Sequence, residues 1–341
     1  MIWAMQYFSL FPGGLSWAAA EIAPDEVDRE WRQLWLSKLC LDPASNDELR
    51  PVVPRLRHLV DNYTRQKSEG VAVTEIGREI YSALDYCNLA RCLVVISGAA
   101  RRGKTFAAQR WVELNPGRAR YCEVPASADD TSFMMALARS LGITIESNAK
   151  RKNLQPRIEA ALVDGDITLI LDQAAQLWPS HNYRKHSRPA RICFVMEMVN
   201  RGASIALLIT PNFFSFQQDY MEKSRWIDSE WWGRVSKFIQ LPETLPIGEL
   251  EKVARAWLPH GDRRSIEALA DAANLSKKYL AAIEHTVKQA NHFAQKEGRD
   301  KAAWPDIYRA IKCGVLPSDE DLALAIHRAG VRRKASAALT R

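Results

Sequence analysis

Two short stretches of this sequence hold the residue types needed to handle a nucleoside triphosphate. The first, Gly98-Ala99-Ala100-Arg101-Arg102-Gly103-Lys104-Thr105, fits the pattern GxxxxGK[ST]. That order suits a phosphate, because the backbone N–H groups of a Gly-rich turn and of a helix N-terminus point at the anion. Lys104 supplies a point charge for the β- and γ-phosphates, and the Thr105 hydroxyl supplies an oxygen for Mg2+. Phe106 follows in the first turn of the expected helix. Arg101 and Arg102 are unusual occupants of such a loop. The plain expectation is that they face solvent; the alternative is an added contact to phosphate or to a neighbouring subunit. The second stretch, Thr168-Leu-Ile-Leu-Asp172, is an apolar run that ends in a carboxylate. As a buried strand it would carry Asp172 at its C-terminal end, placed to hold Mg2+, usually through water. The two stretches together imply ATP and Mg2+ as ligands.

Gln173 stands next to Asp172, where a Glu would polarise the attacking water. Gln has no oxygen of comparable basicity, so hydrolysis is expected to be slow or absent while ATP binding survives. Two origins fit. Either the natural protein is a nucleotide-dependent switch, or a Glu has been replaced by its isostere to hold the ATP state. The otherwise intact motif favours the replacement.

The elements that must position these residues read as α/β. Thr74–Leu89 has helical spacing, and Leu93-Val94-Val95-Ile96 is a short branched run ended by Ser-Gly, a buried parallel strand. Arg120–Pro125, Ile167–Leu171 and Ile205–Ile209 are further strand candidates, with helical patterns between them at 105–114, 131–141, 154–163 and 190–201. Such alternation predicts a parallel sheet covered by helices on both faces. After Leu245-Pro246 the pattern is helical to about 312. The expected organisation is an N-terminal arm and helical extension (1–70), an α/β nucleotide-binding domain (71–245), an all-α lid (246–315) and a basic tail (316–341). Residues 1–20 are apolar and uncharged, but Pro12-Gly13-Gly14 would break a spanning helix. They read as a packed arm, with no membrane role. Trp231 and Trp232 cannot both face one core from a single helix, so one of them is expected to pack on another subunit or on the arm.

Composition narrows the class. The 341 residues are 47% apolar, which excludes a mainly disordered chain, and the six Cys are scattered with no CxxC pair. The thiols read as reduced core residues of a cytoplasmic protein. Net charge is +7, yet residues 1–50 hold four basic and eight acidic side chains, so the remainder carries +11. A positive body of this kind points to a polyanionic partner.

Thr74-Glu-Ile-Gly-Arg-Glu-Ile-Tyr-Ser-Ala-Leu-Asp-Tyr-Cys, GAARRGKT, LILDQAAQL and ALLITPN together resemble the AAA+ ATPases of transposition, the MuB/TnsC-type target-selection proteins. The resemblance covers roughly 71–315 and implies an AAA+ P-loop NTPase core with a helical lid. It implies Asn212, with Thr210 second, as the polar sensor after the strand Ile205–Ile209, and Arg234 as an arginine finger completing a neighbour's site. It also places Thr74 on the adenine side. In the lid, Asn274-Leu-Ser-Lys-Lys278-Tyr-Leu280 takes the place of GNxRxL, with Ala273 for Gly and Lys278, or Lys277 by one slip, for Arg. That departure weakens any lid contact to the γ-phosphate.

The same resemblance implies oligomerisation, as a ring or helical filament, on double-stranded DNA, and recruitment of a transposase. Two basic clusters in expected loops would follow the DNA backbone: Lys150, Arg151 and Lys152 with Arg157, and Arg184, Lys185 and Arg188 with Tyr183 and Arg191 around them. The tail residues Arg328, Arg332, Arg333, Lys334 and Arg341 suit DNA or a partner equally. Two other readings remain open, a helicase-loader or initiator-like ATPase and a non-hydrolysing nucleotide-switch scaffold.

Overall fold

The computed structural model describes residues 74–115, 117–127, 129–143, 145, 151–179, 187–315 and 323–328. The N-terminal arm and extension, Lys150, Arg184, Lys185 and the tail from 329 lie outside the described residues, as do the side chains of Arg151 and Lys152. The chain divides into two compact units. Among described residues, one holds 80–97 and 105–240, and the other 74–79, 98–104 and 241 onward.

The first unit is built on five parallel strands: β1 (Leu93–Ser97), β2 (Ala119–Glu123), β3 (Thr168–Asp172), β4 (Ser204–Ile209) and β5 (Val235–Gln240). Their order in the sheet is β2-β3-β4-β1-β5. Every residue of β1, β3 and β4 is buried. Neighbouring strand residues point to opposite faces, so full burial means that both faces are covered. This is why these runs are continuously apolar. β5, at one edge, alternates between sheltered and exposed positions. The helices of the unit are α1 (Glu75–Ala90), α2 (Lys104–Leu114), α3 (Asp130–Ser140), α4 (Arg151–Asp164), α5 (Ala190–Asn200), α6 (Asn212–Ser224) and the short α7 (Ser229–Trp232), with α1 and α2 each beginning in the other unit. Thr74 caps α1, its hydroxyl accepting from Gly77 N at 3.0 Å, and Asp129 caps α3 through Thr131 N and Ser132 N.

The core joins the strands to α3, α4 and α5 through Phe133, Leu137, Ile158, Leu162 and Val195. An aromatic cluster extends it. Trp178 packs edge-on against Phe213 and Trp226, and Trp231 is fully buried. Trp232 stacks on Phe214 with ring planes 14° apart and donates to Asp228. Both members of the Trp pair therefore find partners among the described residues; the arm, one of the two partners expected from the sequence, lies outside them. The α6 helix reconciles them, since its Phe213 and Phe214 serve one Trp each.

In the second unit, α8 (Ile247–Trp257), α9 (Arg263–Leu275), α10 (Tyr279–Lys296) and α11 (Trp304–Gly314) pack on one another. The buried residues recur at helical spacing: Leu250, Val253 and Ala254; Ile266, Leu269 and Ala273; Ile283, Val287 and Ala290; Ile307, Ala310 and Ile311. Among the described cysteines, Cys87, Cys92 and Cys122 are buried, but Cys313 on α11 is exposed and departs from the core assignment. No helix among the described residues is long and apolar enough to cross a membrane.

Candidate nucleotide site

The sheet order prepares the site. β4 lies between β1 and β3, with Ser97 opposite Ile209 and Leu171 opposite Leu207. The carboxyl ends of all three strands therefore emerge along one edge, the place where open parallel sheets bind ligands. Asp172 ends β3, and Thr210 and Asn212 follow β4. Asn212 is exposed at the start of α6, behind Pro211.

In the α/β unit the two sequence stretches meet. Thr105 Oγ1 donates to Asp172 Oδ2 at 2.5 Å. The Tyr121 hydroxyl donates to the same oxygen at 2.7 Å, and Gln173 N donates to Asp172 Oδ1 at 2.7 Å. Burial, and then the bond to Asp172, raise the Tyr121 pKa above the ordinary tyrosine range, so the phenol stays a donor. Tyr121 is absent from the sequence-derived site because it reaches Asp172 only through the β2–β3 register, which pairs Tyr121 with Ile170 and Glu123 with Asp172. Gln173 is left-handed, φ 55°, with an exposed side chain, where the chain turns from β3 into the short helix Ala174–Leu177. Two hard oxygens side by side, one hydroxyl and one carboxylate, fit a magnesium ion.

The phosphate loop, 98–104, belongs to the helical unit. A Cβ on Gly98 would lie 3.0 Å from Leu241 Cβ, and Gly103, at φ +83°, has Leu280 Cδ1 at 2.8 Å from the same construction. A side chain at Gly98 would require Leu241 to give way, and at Gly103 the left-handed backbone itself disfavours one. Lys104 is buried, its Nζ donating to Gly98 O at 2.6 Å and Ala99 O at 2.8 Å. Arg101 is exposed and left-handed, φ 65°. Arg102 does not face solvent. It is 7% exposed, with its guanidinium 3.6 Å over the Tyr279 ring. Phe106, on α2 in the other unit, is 55% exposed.

The remaining predicted residues are dispersed. Arg234 donates to Asn200 Oδ1 at 2.9 Å and to the Glu230 carbonyl, both within this chain. Lys278 Nζ donates to Gly314 O at 3.3 Å. Arg151, Lys152 and Arg157 lie on α4, correcting their assignment to a loop, and Arg157 is exposed there. Arg188 is exposed just before α5. Arg191, which the sequence groups with these cations, is instead buried. Its guanidinium donates to the carbonyls of Pro125, Gln176, Ser127 and Asp129, and pairs with Asp130 at 3.5 Å. It ties the exits of β2 and β3 to the start of α3.

The parallel sheet, the phosphate loop and the Thr105–Asp172 pair define an AAA+ P-loop domain, and residues 89–215 match the family described as an AAA domain. The chain is 22% identical over 199 residues to the Mu-like prophage FluMu DNA transposition protein B of Haemophilus influenzae. That match covers 58% of this chain and 64% of the relative, so it spans less than two thirds of the relative's length. The AAA-domain match and the similarity to a transposition protein B agree with the resemblance that the motifs carry. Two structures of the Aeropyrum pernix ORC2 protein share the fold. Its ADPNP–ADP complexes give a TM-score of 0.50 at 15% identity, covering 69% of this chain and 66% of that one. Its ADP form gives 0.51 at 17%, covering 70% and 67%.

Proposed function

We propose that this protein binds MgATP, assembles on double-stranded DNA in response, and delivers a transposase to the DNA it covers. The observation that carries the nucleotide part is the 2.5 Å bond between Thr105 and Asp172, which joins two motifs 67 residues apart in sequence. In this reading the backbone of 98–104 and the Lys104 ammonium hold the phosphates, while Thr105 and Asp172 hold Mg2+. A bound Mg2+ would neutralise charge developing on the β- and γ-phosphates. Gln173, at the exit of β3, lacks the basicity to activate water, so the ATP-bound state persists. Asn212 stands at the carboxyl end of the central strand as the sensor. Arg234 is the finger for a neighbouring subunit and must leave Asn200 and Glu230 to act. Lys278, engaged with Gly314, stays out of the phosphate contacts, and Thr74 and Phe106 border the base. The helices of 246–315 act as a lid on the 71–245 domain.

The DNA and transposase parts rest on the likeness to transposition protein B and on the +11 carried outside residues 1–50. Lys150, Arg151, Lys152, Arg157, Arg184, Lys185 and Arg188 would contact phosphates without regard to sequence, each adding to the salt dependence. The test is electron microscopy of the protein with duplex DNA in ATP and in ADP. Helical assemblies on DNA in ATP alone are expected, and Lys104→Ala is expected to abolish them. DNA binding indifferent to nucleotide and to Lys104→Ala would sink the reading. Gln173→Glu is expected to restore DNA-stimulated hydrolysis without changing the assembly, and its failure to do so would remove the enzyme from the proposal.

A further inference from the structure

Arg102 is the cation of the phosphate loop whose bonding is incomplete. Its Nε and Nη1 are buried and find no hydrogen-bond acceptor. It makes no ion pair with a described residue; the Tyr279 ring beneath it, itself buried, is its neighbour of opposite character. An arginine cannot shed its proton to relieve burial. The aromatic face stabilises the charge by less than two unmet N–H groups and the lost hydration of the ion cost. Buried Arg191, by contrast, meets four carbonyls and a carboxylate, and buried Arg110 leaves only Nη2 unmet while its Nη1 pairs with Glu113 at 2.6 Å. Arg102 is seated on a ring with two N–H groups unpaired, in a loop whose next cation, two residues on, is Lys104. A planar fork of N–H groups matches two oxygens of one phosphate or of adjoining phosphates.

We propose that Arg102 is a second polyphosphate-binding cation, seated on Tyr279 and donating its Nε and Nη1 hydrogens to phosphate oxygens of the bound nucleotide. The inference rests on the nucleotide reading and deepens it. The lid position 278 contributes an ammonium that bonds Gly314, and the guanidinium comes from the phosphate loop itself. Tyr279 is a positioning residue. It opens α10, so the same ring that seats Arg102 links phosphate occupancy to the helical unit.

The test is titration calorimetry of the full chain with MgATP and, separately, with inorganic tripolyphosphate, which has phosphates but no base. Arg102→Ala and Arg102→Gln are each expected to weaken both ligands by on the order of tenfold or more, the loss for hydrogen bonds to a charged group. Tyr279→Leu, which removes the ring face, is expected to weaken both ligands, and Tyr279→Phe, which keeps it, to recover the affinity lost; equal losses in the two would overturn the seating role. The glutamine variant preserves side-chain length, so a folding failure in the alanine variant leaves the inference testable. Thermal unfolding of each variant is followed in parallel. A lower melting temperature with both affinities unchanged would make Arg102 a strut and overturn the inference. Loss of ATP affinity with tripolyphosphate unaffected would assign it to the base side and overturn it as well. If Lys104→Ala abolishes binding while the Arg102 variants bind normally, this inference alone fails. If the parent protein binds neither ligand, the nucleotide reading fails with it.

Discussion

Asp172 in the α/β unit and Arg102 in the helical unit are both charged groups removed from water, 5% and 7% exposed. Asp172 receives a hydroxyl, a phenol and a backbone N–H on its two oxygens. Arg102 receives a ring face and leaves two N–H groups unmet. The first is organised by a parallel ladder, where register alone fixes which β2 side chain stands beside the end of β3. The second is organised by apolar contacts of Leu241 and Leu280 against two glycines, which shape a loop without supplying acceptors. A buried charge whose valence is filled within the chain, as at Asp172, is already oriented by its neighbours before any ligand joins it. One whose valence is left open, as at Arg102, keeps donors in reserve for a ligand.

Arg191 is the extreme of the filled kind, and removing it should produce the largest effect on that contrast. Arg191→Ala leaves four carbonyls short of donors where β2, β3 and α3 meet, and should cost about 3–5 kcal/mol of stability in the α/β unit. Arg191→Lys should recover little, because one ammonium cannot reproduce a fork that spans Pro125, Gln176, Ser127 and Asp129. Urea unfolding followed through the Trp cluster reads the loss. A change under about 1 kcal/mol would be the signature of a surface cation and would erase the distinction drawn from burial.

Legibility from sequence divides along the same line. Gly98–Thr105 and Asp172 are local patterns bounded by strand and helix signals, and the fold places them as those signals require. β1, β3 and β4 were readable because a strand covered on both faces has to be continuously apolar. The insertion of β4 between β1 and β3 was not, since strand order is set by crossovers that leave no local mark. Tyr121 was hidden for that reason. Arg191 reads as a surface cation because its neighbours in sequence are basic, while its acceptors lie on residues 125–129 and 176. The sequence leaves Arg102 two alternatives, and its burial against Tyr279, 177 residues away in the chain, is tertiary information. α6 begins directly after Pro211, and its first residue, Asn212, is the one the resemblance singles out as a sensor.

The helical unit also contains a filled buried charge, which offers a pH test of intermediate size. Asp306, on α11, accepts from Arg299 Nη1 at 2.6 Å, Arg299 Nη2 at 2.8 Å and Ala303 N at 2.8 Å. The Arg299 bonds lower its pKa below the ordinary aspartate value, with burial opposing and the Ala303 N–H and Arg309 assisting. A depressed native pKa means stability that is present above the unfolded value and lost as pH falls through the lower native one. Asp306→Asn should therefore destabilise the protein by about 1–2 kcal/mol near neutrality, the low end for a charged hydrogen bond because Arg299 is partly solvated. It should also flatten the acid limb of the stability curve below about pH 4, the ordinary aspartate value. An acid limb as steep in the variant as in the parent would transfer that stability to other carboxylates.

Tyr121→Phe should give the smallest change and the sharpest reading of the Asp172 side. The phenol shares Oδ2 with Thr105, so removing it deletes one donor and leaves two on the carboxylate. The expected cost is about 1 kcal/mol, read in urea. Its raised pKa keeps the hydroxyl protonated through neutral and mildly alkaline pH, so the parent retains this donor wherever the comparison is made. Oδ2 is also one of the two hard oxygens proposed for Mg2+, and there the phenol hydrogen competes with the cation. Without it, the Mg2+ concentration that half-saturates ATP binding should fall, while ATP binding without Mg2+ stays as it was. A rise in that concentration would mean that Tyr121 orients Asp172 for the cation, placing the phenol in the working part of the site.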